Sequence, residues 1–281
     1  MKSLDRVVKT ALEEDLGSGD ITSRLTLGPR SDSEGIILAR QDGVMAGLPV
    51  VEHVFLLLDP KVVVTAMVAE GAEFRTGQIV AELAGPTAAV LAGERVALNL
   101  LQRLCGVATL TARFVKAVAG TGATVLDTRK TTPGLRELEK YAVRMGGGVN
   151  HRMGLWDGIL IKENHIHAAG GVTEAVARVR SGLRPDGIRY LVVVEAADER
   201  QVREALDAGV DRILLDNMET DRIRRMVDLV RSRTDPPVQL EASGGINLKN
   251  VREIAETGVD FVSIGALTHS VPAVDISLLL K

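Results

Sequence analysis

The spacing of apolar residues changes along this chain, and each change predicts a different kind of element. A helix-like opening over Leu4–Leu16 ends at Gly17, a residue suited to stopping a helix. Short β-rich runs follow at Gly35–Arg40, Val62–Val68 and Gln78–Leu83. Turn formers such as Gln41-Asp42-Gly43 and Arg75-Thr76-Gly77 separate them, which predicts an antiparallel sheet. From about Leu91 to Val118 the pattern becomes helical and rich in Ala, Leu and Val. Beyond it a β/α unit repeats. Apolar strands are expected at Thr124–Leu126, Val149, Gly158–Ile161, Tyr190–Val194, Arg212–Leu215, Val238–Leu240 and Phe261–Ile264. Amphipathic helices are expected at Asp198–Ala208, Thr220–Arg231 and Leu248–Thr257. Near-continuous apolar strands alternating with helices predict a parallel sheet with its helices outside. Seven such strands closing on themselves make an α/β barrel one unit short of the usual eight.

Composition narrows the picture mainly by exclusion. A chain of 281 residues can form one large or two ordinary domains, and 46% hydrophobic with 25% charged residues is globular, not disordered. A net charge of −3 supplies no broad field for nucleic acid or an anionic membrane, so an anion site has to be built from local Arg and Lys. No apolar run approaches the roughly 20 residues of a membrane helix. Met1–Arg6 lacks the apolar core of a signal peptide, and the expected location is the cytoplasm. The single cysteine, Cys105, excludes an internal disulfide framework and a Cys-rich zinc site. Its apolar surroundings predict a packed residue more readily than a nucleophile.

Candidate chemistry lies just after the strands, at the end where parallel barrels carry their active sites. The segments there are Asp127-Thr128-Arg129-Lys130, Asn150-His151-Arg152, Lys162-Glu163-Asn164-His165, Glu195, Asp216-Asn217, Glu241-Ala242-Ser243-Gly244-Gly245 and Gly265-Ala266. Arg129, Lys130, His151, Arg152 and Lys162 would set several cations on one rim, where they repel unless an anion or facing acids compensate. An arginine fork matches a carboxylate, and a lysine supplies a mobile point charge. The alternative is a set of salt bridges to Glu163, Glu195, Asp216 and Glu241. Glu195 and Asp216 also offer hard oxygen ligands, in the number Mg²⁺ takes when water and substrate phosphate complete its shell. They could instead only orient Lys130 and Lys162. Ser243-Gly244-Gly245, and Gly265-Ala266 ahead of Leu267-Thr268-His269, allow backbone to approach a phosphate closely, with ordinary turns as the alternative. The Gly146-Gly147-Gly148 run is less specific and reads as a helix end. A non-enzymatic alternative comes from Val68–Ala81, which reads like half of a biotinyl or lipoyl carrier hairpin but lacks the lysine-bearing turn.

Taken together, these segments resemble a known family. Leu126–Arg136, Glu139–Arg144 and Gly146–Arg152, with Leu160–His165, Leu214–Asn217 and Gly265–Ser270, are similar to the signature of the quinolinate phosphoribosyltransferases. Glu14–Ser23 and Gly93–Asn99 match as well, so the resemblance spans essentially the whole chain. It implies an α/β fold: an α+β open sandwich over residues 1–103, with the tail 273–281 packing with it, and an incomplete seven-stranded α/β barrel over 104–272. It implies transfer of phosphoribose from phosphoribosyl pyrophosphate to quinolinate with loss of CO₂ and with Mg²⁺ as cofactor. Arg129, His151, Arg152 and Lys162 would hold quinolinate, with Arg95 reaching in from the neighbouring subunit of a homodimer; a hexamer is the alternative assembly. Thr128, Lys130, Lys162, Glu195, Asp216, Ser243, Gly244, Gly245, Gly265, Ala266 and His269 would surround phosphoribosyl pyrophosphate. Within that set Lys130, Glu195 and Asp216 would be catalytic, and Glu195 and Asp216 would hold the metal. The chain departs from the family at Leu191–Ala197, where acids commonly alternate and only Glu195 remains. A nicotinate-preferring enzyme, a molybdenum-transport-associated relative and a phosphate-gripping lyase or isomerase stay open as alternatives.

Overall fold

Local signals place the first elements. The helix Leu4–Leu16 buries Val8 and Leu12, one turn apart, and stops at Gly17 with φ of +50°. A short helix, Ile21–Thr26, starts at Asp20, whose carboxylate accepts the Ser23 N–H at 3.0 Å. This computed structural model describes residues 3–28, 31–183, 190–233 and 238–281, and the chain forms two compact units.

The first unit comprises Met1–Ala112, Lys130–Gly148 and Leu267–Lys281. Its antiparallel sheet runs in the order Ile276–Leu280, Asp32–Ala39, Ile79–Pro86, Val63–Ala66. Three of these strands are the expected ones with slightly moved ends; the fourth comes from the far end of the chain. Alternation along Asp32–Ala39 turns Gly35, Ile37 and Ala39 inward. The stretch read as a carrier hairpin is part of this architecture: Glu73–Phe74 pairs with Gly43–Val44, and Ile79–Pro86 joins the main sheet. The helix Thr87–Val118 starts a turn earlier than its apolar pattern suggests and runs for 32 residues, about 48 Å at helical rise. Cys105 on this helix is fully buried, and burial pushes its thiol up to about 12, so it is a packed residue.

The second unit, Arg113–Arg129 with Val149–Ala266, holds the parallel sheet. Its strand order is Thr124–Leu126, Phe261–Ser263, Gln239–Ser243, Arg212–Asp216, Val192–Ala196, Ile159–Ile161. Val149, expected as one of the seven strands, makes a single parallel bridge to Leu126. It stands between a glycine run and Asn150-His151, whose polar groups are tied to Asp127, so no extended apolar run exists to lengthen the ladder. The helices Glu199–Asp207 and Thr220–Arg233 match expectation. The helix expected over Leu248–Thr257 shrinks to Val251–Ala255, because the Asn250 side-chain oxygen accepts the Asn247 N–H at 2.8 Å and that of Asn247 accepts the Lys249 N–H at 2.9 Å, building a turn. Among the described residues no helix is long and apolar enough to cross a membrane.

Strand register corrects one expectation. The strands are uniformly apolar on one face only, where Val194, Ile213, Leu215, Leu240, Ala242 and Val262 are buried. On the other face, Glu195, Leu214, Glu241 and Phe261 share a row, and Asp216, Ser243, Ser263 and Leu126 form the row above it. Glu195, Asp216, Glu241 and Ser243 thus lie within the strands, not after them.

Candidate active site

In the second unit the site grows from a buried polar floor. Asp127 has no exposed surface and accepts the Asn150 side-chain amide at 2.6 Å and the His151 N–H at 2.8 Å. It therefore braces the neighbouring segment instead of facing a ligand. His151 Nδ1 accepts the Arg152 N–H at 2.7 Å, while its Nε2 lies 3.5 Å from Glu241 Oε1. The strands Thr124–Leu126 and Phe261–Ser263 lie between those two segments, so this contact requires the sheet to curl around its polar face. Arg152 Nη1 donates to the Gly158 carbonyl at 3.0 Å, and Asp157 accepts the Met153 and Gly154 N–H groups at 2.6 and 2.8 Å. These bonds shape the loop between Val149 and the strand Ile159–Ile161.

Charge is unevenly compensated on this rim. Lys162 Nζ bonds Glu195 Oε2 at 2.9 Å. The Arg152 guanidinium is held below its ordinary range by burial first and then by the charge of Arg129, against a smaller opposing effect of Asp157. Its Nε is buried with no hydrogen-bond partner. Burial alone would raise the Glu241 carboxyl, but His151, Ser263 and Arg212 outweigh it and leave the group lowered. Stability linked to a lowered carboxyl is fully present above its unfolded value and is lost as pH falls through its folded one, so this network weakens only in acid.

The turn after the strand Arg212–Asp216 is tightly built. Asn217 has φ of +51°, the sole non-glycine positive value among the described residues. Its backbone N–H donates to the Ser243 carbonyl at 2.8 Å, and its side chain donates to Asp216 at 2.8 Å. Gly244 and Gly245 follow with φ of +95° and +63°. A Cβ on Gly244 would collide with the Asn217 side-chain oxygen and lie 3.0 Å from its backbone nitrogen. Gly244→Ala is therefore expected to cost about 1–3 kcal/mol of stability. Thermal melting of the variant beside the wild type measures that cost.

Thr128 and Arg129 follow the strand Thr124–Leu126 and are half-buried, as are Gly265 and Ala266 after Phe261–Ser263. In the first unit Lys130 is exposed, and its carbonyl accepts the Thr268 hydroxyl at 2.7 Å. Arg103 supports that loop: it bonds the Thr268 carbonyl, Glu139 at 2.7 Å and Thr132 at 3.3 Å. His269 is exposed at the end of the single-turn helix Ala266–His269, 2.6 Å from the Ser270 hydroxyl. Arg95 is exposed on its helix, 3.6 Å from Glu94. Sequence reasoning missed the supporting roles of Asn217, Arg212, Ser263 and Arg103. The alternation of polar residues in Gln239-Leu240-Glu241-Ala242-Ser243 was the available signal that this strand carries a polar face.

Residues 107–279 match the family model for the C-terminal domain of quinolinate phosphoribosyl transferase, and residues 20–105 match that for its N-terminal domain. The chain belongs to the quinolinate phosphoribosyltransferase family. Among relatives in this family, a Bacillus subtilis protein named probable nicotinate-nucleotide pyrophosphorylase (carboxylating) is 46% identical over 265 residues, covering 94% of this chain and 89% of its own. Quinolinate phosphoribosyltransferase (decarboxylating) 1 of Nicotiana glauca is 40% identical over 291 residues, covering 98% of this chain and 81% of its own. The solved structure of the nicotinate-nucleotide pyrophosphorylase from Francisella tularensis is similar with a TM-score of 0.93 at 36% identity, over 100% of this chain and 96% of that one. The α/β architecture expected from the pattern is the one these quinolinate phosphoribosyltransferase relatives share.

Proposed function

We infer that the protein transfers the phosphoribosyl group of phosphoribosyl pyrophosphate to quinolinate, yielding nicotinate mononucleotide, pyrophosphate and CO₂ in the de novo synthesis of NAD. The observation that carries this reading is the buried, unpartnered Nε edge of Arg152, whose charge is disfavoured by burial and by Arg129. A substrate carboxylate would satisfy the edge and relieve the repulsion together. A ring with two carboxylates gives each arginine an anion. Lys162 completes this wall with His151 behind it, and Glu195 and Asp216 serve the reacting centre.

Charge dictates the rest. Pyrophosphate leaves the ribose carbon with oxocarbenium character as the pyridine nitrogen attacks, so the residues must chiefly orient and neutralise. The ring nitrogen, once bonded to ribose, is cationic. The bond from the adjacent ring carbon to its carboxylate then breaks; CO₂ leaves, the electron pair stays on that carbon, and a proton replaces it. Glu195 and Asp216 stand on one face of neighbouring strands, a carboxylate pair that fits Mg²⁺ with water and diphosphate filling its shell. When bound there, the ion would neutralise diphosphate charge.

The same reading extends to organisation. The domains would be residues 1–103 with tail 273–281 and residues 104–272, in a cytoplasmic homodimer whose Arg95 side chains enter the neighbouring sites. Exposure of Arg95 supports that last role. The deciding assay offers quinolinate or nicotinate with phosphoribosyl pyrophosphate and follows CO₂ and nucleotide. One CO₂ per nucleotide from quinolinate, and little product from nicotinate, is expected. Equal turnover of nicotinate without CO₂ would replace quinolinate as the substrate.

A further inference from the structure

We propose that Glu241 is a positioning residue for dicarboxylate recognition, fixing the His151 ring so that its Nδ1 holds the backbone of Arg152. This rests on the quinolinate reading of the site and extends it to residues behind the binding surface. Glu241 sits mid-strand with no exposed surface. One oxygen accepts Arg212 Nη1 at 3.0 Å; the other accepts the Ser263 hydroxyl and faces His151 Nε2 at 3.5 Å. Arg212 is itself held, stacked 3.8 Å from the Phe261 ring centroid and bonded to Gln239 at 3.1 and 3.3 Å.

Hydrogen-bond chemistry gives the arrangement its direction. A ring nitrogen that accepts a backbone N–H carries no proton, so with Nδ1 accepting from Arg152 the ring proton belongs on Nε2. An ionised carboxylate can only accept, and at this position it admits that tautomer alone. An amide or hydroxyl there could turn to donate and would admit the other. His151 then anchors the Arg152 backbone while the Gly158 carbonyl anchors Nη1, and these two fixed points aim the open Nε edge. A bare carboxylate beneath a dianion would repel it. Arg212 cancels that charge, so orientation is obtained without an opposing field.

The test uses the full-length protein with labelled histidine. In ligand-free wild type, nitrogen NMR at neutral pH should show His151 protonated on Nε2 and bare on Nδ1. Glu241→Gln should give mixed tautomers and raise the quinolinate dissociation constant about tenfold, with phosphoribosyl pyrophosphate affinity unchanged within about twofold. Because that variant leaves Arg212 buried without its counter-charge, a double variant, Glu241→Met with Arg212→Met, removes both charges at similar volume and should keep the melting temperature near wild type. It should still bind quinolinate about tenfold more weakly. Wild-type quinolinate affinity in the double variant, equal weakening of both ligands, or a wild-type ring protonated on Nδ1 would each overturn the proposal. Failure of wild type to bind quinolinate would instead overturn the reading of the site, since the tautomer is measured without ligand.

Discussion

Arg152→Ala is expected to raise the quinolinate dissociation constant from about 30-fold to several thousand-fold, while the melting temperature stays within about 3 °C of wild type. The two parts of this result have different causes. The affinity loss follows from leaving a substrate carboxylate without its bidentate partner, worth roughly 2–5 kcal/mol for a desolvated pair. Stability changes little because two small effects oppose each other. Removing the side chain loses its bond to the Gly158 carbonyl, about 1 kcal/mol, but ends the burial of a charge that Arg129 repels. Arg152→Lys should fall between the two proteins, since lysine restores charge without the planar fork. Titration calorimetry and thermal melting with and without quinolinate measure both quantities. Unchanged affinity in the alanine variant would falsify the assignment of Arg152 to the dicarboxylate.

The parts of this fold that are legible in the sequence are the locally determined ones. Gly17 stops the first helix where its pattern says it should, and the β/α repeat announces a parallel sheet because both periodicities are short-ranged. The strand Ile276–Leu280 was not legible as a strand, since its partner Asp32–Ala39 lies at the other end of the chain. Nor was the reduction of Val149 to a bridge, which depends on hydrogen bonds to Asp127. The site divides in the same way. Residue types alone indicated a cationic rim, but partners decide what each cation can do. Lys162 and His151 have the acidic neighbours that the salt-bridge alternative foresaw, Glu195 and Glu241. The Nε of Arg152, by contrast, is buried without a hydrogen-bond partner. That distinction rests on strand register and sheet curvature, neither of which a single sequence states.

Mixing Arg95→Ala with Arg152→Ala should restore activity that neither protein has alone. Arg95 lies on the helix Thr87–Val118 with 58% of its side chain exposed, 3.6 Å from Glu94. An exposed pair of that kind holds a side chain weakly, so Arg95 is available to a second subunit at little cost. In the proposed symmetric dimer, each site takes Arg152 from one chain and Arg95 from the other. A hybrid then contains one site with both arginines and one with neither. After complete exchange of an equal mixture, half the dimers are hybrids and half their sites are intact, giving about one quarter of wild-type activity. If Arg95 served its own chain, every chain in a hybrid would carry one lesion and mixing would recover nothing. The measurement is specific activity before and after subunit exchange, with each variant incubated alone as control. Because Arg95→Ala removes a surface side chain, misfolding does not offer a competing account of its inactivity, and the recovered fraction reports directly on which chain supplies the arginine.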